Sequence, residues 1–239
     1  MSLMARRKAL LMQAKADDLI LNDLLTLDGI KNTRNGHDAS ATVWHDLSGN
    51  NYDTIKVGSA SNPIWQSDHA VFDATNRGQY ILHDFFGGRT KATVELVIQI
   101  TGNGSRLINS FYQGFIFSNR TGTDEIPIGF QTYSYNAGGV SAYVSSESQG
   151  YSATPDITYI CYVFDGSTGK RYVNGSLAAT HNIIYSDLSH ATNRIGYEYV
   201  GGYVGFPACN LYRIGISSTA FDADTVAARY QKFRQRFNF

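Results

Sequence analysis

Two tyrosine-rich segments carry the residue types best suited to holding a sugar. A pyranose needs a flat aromatic surface for its apolar side and amide, carboxylate or backbone groups for its hydroxyls. Alternate tyrosines share one face of a strand, and neighbouring glycines let a loop open. We therefore predict a ligand site drawn from both segments: Tyr197, Glu198, Tyr199 and Tyr203, supported by Tyr133 and Tyr135. The competing interpretation is packing in an aromatic core, because the chain has 16 Tyr.

The acidic and histidine residues of the sequence give little support for a catalytic site. Retaining hydrolysis of a glycosidic bond needs two carboxylates close together across that bond. Glu95 stands alone on its predicted strand, and Glu147 and Glu198 are isolated. The six His show no metal-ligand spacing, and neither a glycine-rich phosphate loop nor a Gly-x-Ser-x-Gly elbow occurs. The sequence therefore predicts that the protein is not an enzyme, with a glycoside hydrolase or lyase as the alternative.

Length and charge limit the classes of partner. The 239 residues fit one large β-domain with a short appendage, and 43% hydrophobic residues suffice for a core. A net charge of zero argues against nucleic acid as a partner. No window approaches the roughly 20 apolar residues of a membrane span, and no signal peptide follows the start, where residues 1–3 look like a cloning scar.

The elements that must position these groups are mostly strands. Residues 92–100 alternate between apolar and mixed positions, which predicts a strand with one face in a core. Residues 157–164 are apolar on both faces, which predicts a central strand covered on both sides. Asn174-Gly175 is a strong two-residue hairpin signal.

Helices are predicted at the two ends of the chain. Residues 5–27 form an N-terminal helical segment with a stripe of leucines and no Gly or Pro. The segment could connect the protein to a larger assembly, or it could pack on its own domain. A short C-terminal helix should begin after Asp222, a suitable N-cap. Its apolar face would contain four residues: Val226, Tyr230, Phe233 and Phe237.

Three motifs in order resemble one family. The first runs from Asp28 to Asp38 and continues through Trp44-His45-Asp46-Leu47-Ser48-Gly49-Asn50. The second is Phe164-Asp165-Gly166 followed by Tyr172-Val173-Asn174-Gly175, and the third is the strand from Leu211 to Ile216 with the helix after Phe221. The chain resembles concanavalin A-like, laminin-G-like jelly-roll domains of bacterial surface and phage proteins over residues 28–53, 63–81, 157–180 and 193–237.

The resemblance implies an all-β concanavalin A-like jelly-roll β-sandwich over residues 28–239, with residues 1–27 as a separate helical segment. It also implies a non-catalytic carbohydrate- or surface-binding module. The expected partner is a glycan or cell-surface polysaccharide. Virion or surface proteins could bind through the N-terminal helix. A virion component needs no export signal, so a virion or cytoplasmic location is expected, with the cell surface reached by another route as the alternative. A ligand-free structural decoration domain is a further alternative.

Jelly-roll lectins of this kind often hold calcium through Asp and Asn oxygens, and Asp46, Asn50 and Asp53 lie in one loop. Their spacing matches no known calcium loop, so turn capping by these side chains is favoured over a metal site. Cys161 and Cys209 are predicted to be buried thiols, although the sequence alone leaves a disulfide open.

Overall fold

The protein folds as two antiparallel β-sheets with a C-terminal helix, in a computed structural model. The structure describes residues 23–56, 62–72, 79–82, 90–101, 108–110, 114–118, 129–136, 139–143, 156–166, 168–182, 193–196 and 209–239. The prediction of a mostly-β chain with a short C-terminal helix is confirmed. The predicted helix over residues 5–22 lies outside the described residues.

The strands, in chain order, are β1 (Leu25–Asp28), β2 (Ile55–Lys56), β3 (Ile64–Trp65), β4 (Ala70–Phe72), β5 (Gln79–Leu82), β6 (Lys91–Ile100), β7 (Ile108–Ser110), β8 (Gly114–Ser118), β9 (Gly129–Asn136), β10 (Gly139–Tyr143), β11 (Thr158–Asp165), β12 (Thr168–Val173), β13 (Ser176–Asn182), β14 (Asn193–Gly196) and β15 (Cys209–Ser217), and the helix is α1 (Ala223–Phe237). The eight-stranded sheet has the order β13-β12-β11-β6-β15-β4-β3, with β1 also paired to β15. The seven-stranded sheet has the order β10-β9-β8-β7-β14-β5-β2.

The first strand corrects the predicted end of the N-terminal helix. Residues 25–27 were expected to be helical, but Leu25 to Asp28 pair antiparallel with β15. Leu25 and Leu27 are fully buried in one core, while Thr26 and Asp28 belong to the opposite face. This alternation has the period of a strand. A leucine stripe at neighbouring positions could not distinguish the two structures.

The central strands of the eight-stranded sheet are buried on both faces. On β6, Val94, Leu96 and Ile98 enter one apolar core, as predicted. The other face of β6 was expected to be open, but Glu95 and Val97 are buried there as well. β11 is covered on both sides, as its apolar run predicted.

Helix α1 covers the second face of this sheet. Asp222 caps it, since its carboxylate accepts a hydrogen bond from the Thr225 backbone N–H at 2.7 Å. Val226, Phe233 and Phe237 are buried against the sheet, and Tyr230 is partly buried beside them. The predicted cap and apolar face are confirmed.

One turn depends on backbone that most residues avoid, and one glycine is required by a close approach between two backbone segments. Asn174 and Gly175 both have positive φ, +50° and +79°, which gives the hairpin between β12 and β13 the twist of its strands. Gly29 lies so close to the backbone of Asp68 that a Cβ would overlap the Asp68 carbonyl oxygen. The beginning of the first motif is thereby fixed against the β3–β4 hairpin.

The first motif wraps around a buried tryptophan. Trp44 is fully buried, and its indole Nε1 donates to the Asp28 carbonyl oxygen at 3.1 Å. Its ring meets the Trp65 ring edge-on, with centroids 5.1 Å apart. Both tryptophans belong to the core.

Candidate functional site

The structure describes only part of the predicted ligand site. Tyr197, Glu198, Tyr199 and Tyr203 lie outside the described residues. Tyr133 and Tyr135 lie on β9 in the seven-stranded sheet. Tyr133 is opposite Tyr143 on β10 and Gly114 on β8. The site itself therefore stays a prediction, and backbone register relates only β9 to the end of β14, the last described residues before Tyr197.

Register separates the end of β14 from the tyrosines of β9 within the seven-stranded sheet. β7 and β8 lie between β14 and β9. Pairing through these strands puts Gly196 in the same row as Gly129, four residues before Tyr133. With about 4.8 Å between strands and about 3.4 Å per residue, Gly196 and Tyr133 are about 20 Å apart.

The three calcium candidates take part in turn hydrogen bonds. Asp46 accepts from the backbone N–H groups of Thr26 and Ser48 with one oxygen and from Tyr52 N–H with the other, at 2.9–3.0 Å. Asn50 donates from its side-chain amide to the carbonyl oxygens of Asp23 and Leu24.

Asp53, the third candidate, accepts from the Asp46 backbone N–H at 2.8 Å and from Arg34 at 2.6 Å. Its other oxygen lies 2.9 Å from His45 Nδ1. Burial, the largest single cause, raises the pKa of Asp53. The hydrogen bonds from the Asp46 backbone and from the His45 and Arg34 side chains together outweigh burial, so the pKa lies below its usual value. Among the residues that the structure describes, no group of three or more His, Cys, Asp or Glu could hold a metal ion.

A buried charged cluster under α1 was missed by sequence reasoning. Four members come from β6, β11, β15 and α1, and the fifth lies two residues before β1. We call this set the ionic cluster: Asp23, Glu95, Arg213, Arg229 and Tyr159. Arg229 Nε donates to both oxygens of Glu95 at 2.7 and 2.8 Å, and its Nη2 also bonds Glu95. Tyr159 donates its hydroxyl to Glu95 at 2.5 Å. Arg213 Nη2 donates to Asp23 at 2.7 Å, and Arg229 Nη2 reaches Asp23 at 3.3 Å.

The ionic cluster exists because a β-bulge turns two successive residues toward α1. The pairing of β15 with β6 shifts between Leu211 and Arg213. Tyr212 therefore packs on Phe237 of the helix, and Arg213 lies over the Phe233 ring at 5.0 Å. An extra residue on one strand of a pair re-aims side chains in this way.

Burial and charge act against each other inside the ionic cluster. Burial raises the pKa of Asp23 from 3.8 to about 6, against the lowering effect of Arg213 and Arg229. Burial also lowers the pKa of Arg229, but the charge and hydrogen bonds of Glu95 outweigh it and hold that pKa above its usual value. Burial, followed by the charge of Glu95, raises the pKa of Tyr159.

The cluster binds the helix to the sheet and is closed to substrate. The side chains of Asp23 and Glu95 are each 2% exposed, and that of Arg229 is 11% exposed. A second buried pair joins Arg236 of α1 to Asp28, with two bonds of 2.9 Å. Both arginines fall on the apolar stripe of the helix, three residues after Val226 and Phe233 respectively. A charged residue on an apolar stripe is the signal that could have revealed the cluster.

The two cysteines are free thiols. Cys161 and Cys209 are both buried and unpaired with each other. Burial raises the pKa of each thiol, and for Cys161 the charge of Glu95 raises it further. A thiol held protonated is a poor nucleophile.

Comparison with known proteins identifies the fold but no family. No protein-family model matches the chain, and no curated protein matches it in sequence. Similar solved structures include the receptor binding domain of botulinum neurotoxin D, with a TM-score of 0.62, 14% identity and 91% of this chain covered. The fold resembles that of toxin binding domains.

Two further structures show the same likeness. The binding domain of Paraclostridial Mosquitocidal Protein 1 has a TM-score of 0.61, 14% identity and 91% of this chain covered. The botulinum neurotoxin serotype D ligand binding domain in complex with N-acetylneuraminic acid has a TM-score of 0.59, 14% identity and 92% covered. The chain spans 52–54% of the length of these three domains.

Among the described residues, the structure contains no helix with the length and hydropathy of a membrane span.

Proposed function

We propose that the chain is a non-catalytic glycan-binding module. The observation that carries the proposal is the fold, since about nine-tenths of the chain superposes on binding domains. One of those domains was solved with N-acetylneuraminic acid, so sialylated glycans are the first ligands to test. The two tyrosine-rich segments of the sequence supply the side-chain chemistry that a sugar needs.

We propose that the two sheets stack as a jelly-roll β-sandwich of the concanavalin A-like, laminin-G-like type. The support is physical. One face of the eight-stranded sheet is covered by α1. The opposite face is also buried, with Leu96, Ile160 and Ile214 at 0% exposure, so another layer must cover it. A second sheet of similar width suits that role, because stacked sheets bury apolar faces about 10 Å apart.

Burial of the cluster carboxylates favours binding over hydrolysis. Glu95, which the sequence shows alone on its strand, is near Asp23, and both belong to the ionic cluster. A general acid and nucleophile must reach both sides of a glycosidic bond. These two carboxylates lie beneath α1 and are bonded to arginine, so no sugar can approach them without displacing the helix.

The ligand site proposed is the sequence-predicted set Tyr197, Glu198, Tyr199 and Tyr203, with Tyr133 and Tyr135 as a second contact region. Because about 20 Å separates Gly196 from Tyr133, the two regions suit different units of one oligosaccharide. Loops at the end of a rigid sheet are where binding specificity is commonly placed.

A pair of ligands and three variants test this site. The ligands are a sialylated oligosaccharide and the free monosaccharide, measured by calorimetry or surface plasmon resonance. Tyr199→Ala should abolish binding of both while leaving the thermal midpoint nearly unchanged, whereas Tyr199→Phe, which keeps the ring face, should retain most of the affinity. Tyr133→Ala should weaken the oligosaccharide alone.

Three results would count against the site or the function. A drop in midpoint for Tyr199→Ala, equivalent to about 3–5 kcal/mol, would assign the ring to packing. Equal loss of both ligands in Tyr133→Ala would place the two regions together. New reducing ends from a polysaccharide panel, lost on mutation of Glu95 or Glu198, would favour the hydrolase alternative.

We also propose that the part of the predicted N-terminal segment that precedes the described residues, 1–22, attaches this module to a larger assembly, such as a phage particle. The support is the predicted leucine stripe and the resemblance of the later motifs to phage and surface domains. Mass spectrometry of purified particles from the producing culture should detect the chain. Its recovery only in the soluble cell fraction would argue against this placement.

A further inference from the structure

The residue that leads into the sheet has its carboxylate buried in the ionic cluster. Asp23 directly precedes Leu24 and β1. Its side chain accepts from Thr26 Oγ1 at 2.9 Å, Arg213 Nη2 at 2.7 Å and Arg229 Nη2 at 3.3 Å. The backbone path into the sheet and the buried charge are therefore one structural unit.

The backbone around Asp23 is held by hydrogen bonds to β15 and to the first motif. Leu24 N–H donates to the Ile216 carbonyl oxygen at 2.6 Å. The Asn50 amide donates to the carbonyl oxygens of Asp23 and Leu24 at 3.2 and 3.1 Å, and Ser48 Oγ donates to Leu24 at 3.2 Å. We call this set of contacts the junction. Opening the junction moves the Asp23 carboxylate from the ionic cluster into water.

We propose that Asp23 makes the junction acid-stabilised, so that the closed junction becomes more stable as the pH falls. This effect lies at the entry of the chain into the sheet and is independent of glycan binding. The Asp23 carboxylate is 2% exposed in the closed junction, and it would pass from the ionic cluster into water when the junction opens.

The groups that face Asp23 set its proton affinity. Arg213 of β15 and Arg229 of α1 favour its ionised form, while Glu95 of β6 opposes it. Glu95 also takes most of the hydrogen bonds of Arg229 and the hydroxyl of Tyr159 from β11. Cys161 lies next to this hydroxyl, and its thiol stays protonated because burial raises its pKa. From the first motif, Asp46 approaches through the Thr26 backbone N–H.

The direction of the effect follows from linkage. In the closed junction burial raises the pKa of Asp23 to about 6, and in the open junction it returns toward its usual value of 3.8. The closed state therefore binds a proton more tightly, so falling pH favours closing. The closing equilibrium should gain about tenfold between pH 8 and pH 5, and on the order of 150-fold in stronger acid.

Amide hydrogen exchange measures this equilibrium directly. The reporters are the Leu24 and Thr26 amides, which are bonded to Ile216 and Asp46. After correction for the intrinsic pH dependence of exchange, their protection should rise about tenfold from pH 8 to pH 5 in the full chain. The Gly166 amide, bonded to the Thr90 carbonyl oxygen in the turn between β11 and β12, is the internal control and should show no such rise.

Asp23→Asn provides the matched variant, because it keeps the size and an acceptor oxygen but cannot titrate. Its Leu24 and Thr26 protection should be flat over the same range. Wild-type protection that is flat or falls toward pH 5, or a variant that keeps the rise, would overturn the proposal. Should the variant fail to fold, the carboxyl carbon of Asp23 can be titrated by NMR in the wild type. A titration midpoint of Asp23 near pH 6 supports an acid-stabilised junction, and a midpoint below pH 4 refutes it.

Discussion

Replacing Arg229 with leucine should destabilise the protein strongly, because this helix residue holds the ionic cluster together. Arg229 supplies two hydrogen bonds from Nε to Glu95 and a contact to Asp23. Its guanidinium also lies over the Phe221 ring at 5.0 Å. In Arg229→Leu, Glu95 would be left 2% exposed with Tyr159 as its remaining cluster donor.

Removing one partner of a buried ion pair commonly costs about 3–5 kcal/mol, because the other charge is left buried without compensation. We expect a loss in that range from the free energy of unfolding of Arg229→Leu, measured by urea titration at pH 7. Lys232→Leu, an exposed change on the same helix, is the control and should stay within about 0.5 kcal/mol of wild type.

A double variant separates lost charge from lost packing. Arg229→Leu with Glu95→Gln removes both charges while the glutamine can still accept from Tyr159. It should be more stable than Arg229→Leu alone, because no isolated buried carboxylate remains. A loss below about 1 kcal/mol in the single variant, the value of an exposed ion pair, would refute the account of a sealed ionic cluster.

Three more changes test separate parts of the structure. Gly29→Ala should cost about 1–3 kcal/mol in unfolding titrations, because its Cβ would overlap the Asp68 carbonyl oxygen. Trp44→Ala should cost about 3–5 kcal/mol by the same measurement, since the ring is fully buried. Hydrogen bonds from Thr225 hold the pKa of Asp222 below 3.8, so Asp222→Ala should reduce helix stability at neutral pH. That difference from wild type should fade as circular dichroism is followed below pH 3.8, where the capping carboxylate takes up its proton.

Local patterns predicted the parts of the fold that local forces determine. The alternation over β6 and the apolar run over β11 set strands, because one face or both must be buried. Asp222 and the stripe from Val226 to Phe237 predicted α1 from capping and helical periodicity. Asn174-Gly175 predicted its hairpin because few residue pairs accept positive φ.

Long-range pairing is what the sequence could not supply. The leucines before Asp28 suit a helix or a strand equally, and the pairing with β15, far along the chain, decides for a strand. The bulge at Tyr212 has no local signal, yet it brings Arg213 beneath α1. Glu95 looked isolated because its partners, Asp23 and Arg229, are 72 and 134 residues away in sequence.

The candidate site was predictable only in its chemistry. Tyrosines, amides and glycines indicate a sugar surface, but their positions depend on the sheet. The order of the seven-stranded sheet puts two strands between β14 and β9, which no spacing in the sequence shows.

A glycan array probed with the purified full chain tests the central claim most directly. The account predicts binding to a defined set of glycans, with sialylated members compared against their matched asialo forms, and no change in the printed glycans after incubation. Binding to sialylated glycans alone would identify the ligand class. Absence of binding to every glycan at micromolar protein, with the fold intact by circular dichroism, would contradict the account and favour a ligand-free structural domain.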